Sequence, residues 1–249
     1  MDPLSERHVG QDCSLPNPAR CGGLGRYCRL MNANEALIER VDRIGTRING
    51  HPERVDAVLD ELIGLLESER DAEVLAATVW ALGMAWNERA SLASAALAGH
   101  PDPRVRLAVA RTVSCDIDSA DAVAIVVEVL IGLSVDVDEN VRDWAVFGLG
   151  TMLEVDSDRV REALWARIDD VGTDVADEAL VGLARRRDVR CSPVVADRLG
   201  RWEVGALVFE AAELLGDPRL LDALRPWMSR LPDDDSVRRA WLACAGRSA

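Results

Sequence analysis

The stretch DENVRDWAVFGLG, Asp138 to Gly150, decides the fold. Its first residue is a carboxylate that can accept from the free N–H groups of a helix N-terminus. Val141, Ala145 and Leu149 then recur at i, i+4 and i+8, one apolar stripe of a helix. Gly148, small and on the same side, admits a close neighbour, and Gly150 suits a helix end. Read alone, this is one amphipathic helix.

It does not stand alone. DAEVLAATVWALG (Asp71 to Gly83), DPRVRLAVARTVS (Asp102 to Ser114), GTDVADEALVGLA (Gly172 to Ala184) and DDSVRRAWLACAG (Asp234 to Gly246) align with it without gaps, and VGALVFEAAELLG (Val204 to Gly216) is a weaker copy. The copies start 30 to 36 residues apart. Such a near-constant period is the signature of a repeat array. Val74, Val105, Val141, Val175 and Val237 occupy one register and are expected to point inward. Asp71, Asp102, Asp138 and Asp234 occupy the capping register. Gly83, Gly150 and Gly216 are expected at helix C-termini.

Between the copies lie second helical segments, among them NERASLASAALAG, SADAVAIVVEVLIGL, DRVREALWARI and PRLLDALRPWM. Each repeat is read as a copy followed by a second helix, with residues 34–48 and 53–68 as one further, degenerate pair upstream. The predicted fold is all-α, a right-handed α-solenoid of six to seven helix pairs over residues 31–249, the last pair incomplete. Residues 1–30 lack helical periodicity, are rich in Pro, Gly, Asn, Arg and Cys, and are expected to form a disordered arm; Met31 is an alternative start. That arm carries one net positive charge, which leaves fifteen negative charges on the remainder.

The pattern D-x-x-V-R-x-x-A-x-x-x-L-G, fullest at Asp138, Val141, Arg142, Ala145, Leu149 and Gly150, resembles the short bacterial HEAT-like repeat that also occurs in phycobilin lyases. The resemblance covers residues 71 to 246. It implies an α-solenoid whose second helices line a concave ligand-binding face. It also implies three kinds of relative: protein scaffolds, bilin lyases and DNA glycosylases of the same general plan.

Composition narrows the choice. The chain has 249 residues, 49% of them apolar, and a formal net charge of -14. All 29 basic residues are Arg. The acidic balance opposes non-specific binding to nucleic acid or to anionic membranes, where phosphate must be neutralised. No run of 18 apolar residues is present, and the first 20 residues hold no apolar signal core, so a cytoplasmic location is expected. Three His and six Cys show no compact metal-ligand spacing, since Cys13, Cys21 and Cys28 are spaced C-x7-C-x6-C. No metal site and no cofactor is expected. Carboxylate pairs such as Asp177 and Glu178 read as a solvated face. Phosphate loops, dinucleotide fingerprints and nucleophile elbows are absent from the sequence, so a non-catalytic role is preferred over an enzyme.

The candidate binding residues follow from the resemblance. On DRVREALWARIDD, Val160, Leu164 and Ile168 form the buried stripe, and Arg161, Trp165 and Asp169 form the next stripe over. Trp and Arg together are frequent binding anchors. Trp144, at the edge of its helix's apolar face, is a second aromatic candidate. Arg185 and Arg186, in the run ARRRDVR, could grip an anion. Trp80 and Phe147 share one register and are expected to fill the core, and Arg106, Arg142 and Arg238 to form a ladder of ion pairs between repeats. The expected function is a protein-binding scaffold that takes another protein, a basic segment included, on an acidic concave face. Self-association through an end repeat is compatible with this. The alternatives are a base-excision glycosylase, which needs a basic groove, and a bilin lyase-like protein, which needs an apolar pocket.

Overall fold

Whether the copies become helices depends first on their caps. In the computed structural model, which describes residues 33–46, 55–115 and 117–246, all four capping aspartates work as expected. Asp71 accepts from the N–H groups of Glu73 and Val74, Asp102 from Arg104, Asp138 from Asn140 and Val141, and Asp234 from Ser236 and Val237. Each such cap stabilises its helix by about 1 kcal/mol. The weaker copies begin at Gly172 and Gly205 without a side-chain cap.

Thirteen α-helices and no strand occur among the described residues. They are α1 (Ala33–Thr46), α2 (Val55–Ser68), α3 (Ala72–Gly83), α4 (Glu88–Ala95), α5 (Pro103–Thr112), α6 (Ala120–Leu133), α7 (Glu139–Phe147), α8 (Asp158–Trp165), α9 (Thr173–Arg185), α10 (Ser192–Leu199), α11 (Ala206–Leu215), α12 (Leu221–Arg230) and α13 (Asp235–Cys244). The copies are α3, α5, α7, α9, α11 and α13. A π-helical segment, Gly148–Met152, extends α7. The arm expected over residues 1–30 lies outside the described residues. The helices fall into two compact units, Met1–Asp116 and Ile117–Ala249.

In each unit the motif helices form one layer. In the first, α1, α3 and α5 pack side by side, with α2 and α4 as the other layer. In the second, α7, α9, α11 and α13 pack side by side, backed by α6, α8, α10 and α12. The inward register is fully buried: Val74, Val105, Val141, Val175 and Val237 have no exposed surface, and neither do Leu82, Leu149 and Leu183. Burying each such side chain is worth roughly 1.5–3 kcal/mol.

Two sequence expectations change. The first is the phase of the unit. In the second unit, α7 pairs with α6, α9 with α8, α11 with α10 and α13 with α12, so the motif helix closes each hairpin and does not open it. In the first unit α1 packs on α2, as the degenerate pair expected, but more extensively on α3, so it stands in the motif layer. The count of six to seven pairs is unaffected. The second concerns glycine. Gly216 does end α11 in the left-handed region (φ 56°), but Gly150 lies within the π-helical segment. A Cβ on Gly182 would stand 2.6 Å from the Cα of Gly150, so these two glycines set the contact between neighbouring motif helices.

Candidate functional site

Asp188 gathers two of the residues that the sequence singles out. Its buried carboxylate accepts from Trp165 Nε1 (3.1 Å) and from Arg190 Nε (2.8 Å), and lies 3.4 Å from Arg161 Nη1. Arg161 also grips Asp156 with Nε (2.6 Å) and Nη2 (2.7 Å), and donates to the carbonyl of Arg186 at 2.7 Å. The Arg190 guanidinium lies over the Trp165 ring, 5.3 Å from its centroid. Hydrogen bonding from Arg190, joined by Trp165, outweighs burial and holds the Asp188 carboxyl well below the usual carboxylate range. Arg161 and Trp165 are thus brought together as a hub between α8 and the loop after α9, with Trp165 half-buried.

Arg186 is committed inside the chain. Nε donates to the Val155 carbonyl (2.9 Å), Nη1 to Gly150 (3.0 Å) and Gly182 (2.9 Å), and Nη2 to Leu149 (2.7 Å) and Leu153 (3.0 Å). All five guanidinium donors therefore meet backbone oxygens around the π-helical segment. Arg185 pairs with Glu210 of α11 at 3.0 Å. Asp169 is exposed in the loop between α8 and α9.

The motif layer carries the other aromatic candidates. Trp144 is half-buried on α7 and meets Phe147 edge-on, with centroids 5.6 Å apart. The core positions expected for Phe147 and Trp80 are corrected: both are half-buried, and Trp80 lies under the Arg111 guanidinium at 4.5 Å. Their register, nine residues after the capping position, lies off the Val–Ala–Leu stripe, so its burial depends on the neighbouring helices: Val181 of α9 is buried there and Glu213 of α11 is half-buried. Elsewhere in the second unit the registers of Trp144 and Phe147 hold Glu178 and Val181 on α9, both buried, and Glu210 and Glu213 on α11, both half-buried. Asp177 pairs with Arg198, and Glu213 with Arg239 at 3.0 Å. Burial pushes the Asp177 carboxyl up against the opposing pull of Arg198. Its neighbour Glu178 is buried, so this pair of carboxylates is not the solvated face that the sequence suggests.

The expected arginine ladder is partial. Arg142 holds Asp170 of the next repeat with two bonds, 2.9 and 3.1 Å, and donates to the Asp136 carbonyl at 2.9 Å. Burial alone would raise the Asp170 carboxyl, but Arg142 prevails and lowers it. Arg106 makes the equivalent loop bonds, to the carbonyls of His100 (2.8 Å) and Pro101 (2.9 Å). Arg238 instead pairs with Asp235 of its own helix. The shared role of Arg106 and Arg142 is therefore to fasten the loop that precedes their own helix.

Cys191 is buried, and burial pushes its thiol up to about 12, away from nucleophilic use. Among the described residues no group of His, Cys, Asp and Glu is placed to hold a metal ion. No helix among them is long and apolar enough to cross a membrane.

Residues 59–150 match the protein family described as HEAT repeats. The chain is 31% identical to protein YibA of Escherichia coli strain K12 over 136 residues, which is 55% of this chain and 46% of YibA. It therefore spans about half the length of the curated relatives it matches. The X-ray structure of Escherichia coli YibA superposes with a TM-score of 0.66 at 22% identity, over 85% of this chain and 82% of that one. A weaker likeness, TM-score 0.43 at 16% identity over 90% of this chain and 98% of that one, is to the complex of CpcE and CpcF of phycocyanin lyase from Nostoc. The fold is that of a HEAT-like helical solenoid.

Proposed function

We propose that the chain is a non-catalytic protein-binding scaffold whose binding face is the outer surface of the motif layer in the second unit. The observation that carries this reading is the tight nesting of that layer. Gly150 and Gly182 bring α7 and α9 to backbone contact, while the opposite layer meets more sparsely. In a stack of helix pairs, the layer with the closer spacing lies on the inside of the bend, and solenoids bind extended partners on that side. With the hairpin phase observed, the motif helix is the second helix of each pair, the one that the HEAT-like resemblance puts on the concave face.

That face offers Trp144 and Phe147 as aromatic contacts, with Glu210 and Glu213 on the matching registers of α11. It suits a partner segment with basic and apolar residues, drawn by the net negative charge and held by a few buried anchors. Arg161, Trp165 and Asp188 act on this reading as a positioning hub behind the face.

The test is affinity capture from a lysate of the source organism, compared across two folded variants. One pairs Trp144→Ala with Glu213→Arg; the other pairs Trp165→Ala with Arg161→Glu. A protein partner lost only by the first variant supports the motif face. Loss only by the second moves the site to α8. Enrichment of nucleic acid or pigment instead of protein overturns the scaffold reading.

A further inference from the structure

We propose that the four loops entering α7, α9, α11 and α13 form a second docking surface, for a cationic amphipathic helix of another protein. Each loop shows solvent a large apolar side chain: Val137 is 92% exposed, Val171 94%, Trp202 79% and Leu231 40%. Isolated exposed apolar residues are ordinary. One in each of four successive loops is a row, and rows of this kind mark interaction sites.

The loops share an edge because their motif helices run side by side. Arg142 at the start of α7 ties the Asp136 carbonyl in its own loop to Asp170 in the next. A Cβ on Gly172 would stand 2.6 Å from Glu139 Oε1, so the starts of α7 and α9 abut. A Cβ on Gly205 would stand 3.2 Å from Asp177 Oδ2, which puts the start of α11 beside the second turn of α9. Arg230 donates to the Trp202 carbonyl at 3.1 Å and covers its ring at 4.4 Å, which joins the third and fourth loops. The Trp202 ring is held in place while exposed, so little side-chain entropy remains to be lost on binding.

Spacing and charge define the occupant. Packed helices lie about 8–10 Å apart, so the apolar row repeats at about that interval. A helix rises about 1.5 Å per residue, which makes one step about five to seven residues and the three steps across four loops up to about 22. A helix with apolar residues at i, i+7, i+14 and i+21 meets the row in register. The loops also carry Asp136, Asp169, Glu203 and Asp233, so the partner needs Arg or Lys beside its stripe. A second copy would bring the same acids into a self-complementary contact, and an anionic bilayer would be repelled.

The probe is a fluorescent synthetic helix of about 22 residues with Leu at heptad spacing, Arg beside each Leu and Ala elsewhere. Its anisotropy is titrated with the full chain in low salt. Binding is expected, with a loss of tenfold or more for the Val137→Ser, Val171→Ser, Trp202→Ser variant and for a probe with Glu in place of Arg. Val171→Ser alone, expected to lose about threefold, serves if the triple variant does not fold. The Trp144→Ala, Glu213→Arg variant should bind the probe unchanged, which separates this edge from the motif face. Undiminished binding by the loop variants, equal binding of the Glu probe, or no binding of the Arg probe overturns the proposal. So does a dimer that the triple variant converts to monomer, which would make a second copy the occupant.

Discussion

Five backbone oxygens converge on one guanidinium at Arg186. The π-helical segment closes with the Leu153 N–H on the Gly148 carbonyl, which diverts the carbonyls of Leu149 and Gly150 from the α-helical pattern. Buried carbonyls without a donor are costly, and Arg186 supplies one to each. Lysine has three donors and no planar fork, so it cannot satisfy five acceptors at once. Arg186→Lys is expected to lower unfolding stability by roughly 2–4 kcal/mol, and Arg186→Ala by more. Urea titration followed by circular dichroism reads this directly; an unchanged midpoint for both variants would mean that water serves these carbonyls instead. The ARRRDVR run suggests an anion grip because a sequence displays a cluster of charges and hides acceptors that lie far away along the chain.

At the scale of elements, the caps and the inward stripe were legible because both depend on residues within one helix. The hairpin phase was not. An alternating series of helices can be divided into pairs in two ways, and only the packing of α6 on α7 and α8 on α9 selects one. That choice moves the expected binding face from α8 to the motif layer. The glycines in the array divide by the same logic of contact. Gly182→Ala would drive a methyl group into the Gly150 backbone and toward Leu164 Cδ1, 3.0 Å away. It should destabilise by roughly 1–3 kcal/mol, the usual cost of overpacking. Gly64, inside α2, has open space where an alanine methyl group would stand, with nothing within 4 Å, so Gly64→Ala should stabilise the fold. The gain expected in a helix interior is about 0.5–1 kcal/mol. Thermal melts of the two variants should move in opposite directions, and a shift of the same sign in both would contradict the contact argument.

For the whole molecule, the sequence revealed the repeat, its period and its acidic character, since these are properties of the entire string. It concealed which charges are spent internally. Asp156, Asp188 and Asp234 each have a carboxyl lowered by bonds from Arg161, Arg190 and Ser236 respectively, and Asp102 is lowered to about 2 by Arg104. The sign of their linkage follows from that direction. A carboxyl depressed in the folded state contributes stability at pH values above its unfolded pKa, and loses it as pH falls through the folded value. Asp42 and Asp177, raised mainly by burial, act in the opposite sense and offset part of the loss. Net charge acts over a different range. At pH 7 the chain carries -14, and its self-repulsion weakens as pH approaches the pI near 4.7. Stability measured by urea midpoint is therefore expected to hold or rise slightly from pH 7 to about 5, then fall steeply from about pH 4 toward 2. Adding about 0.5 M NaCl should raise the midpoint at pH 7, by screening repulsion, more than at pH 5. Asp188→Asn should lower the midpoint at pH 7 and flatten the acid limb, because the variant has no proton to take up at that position. A midpoint that falls steadily from pH 7 to 5, with no response to salt, would mean that neutral-range titration of other groups outweighs both effects.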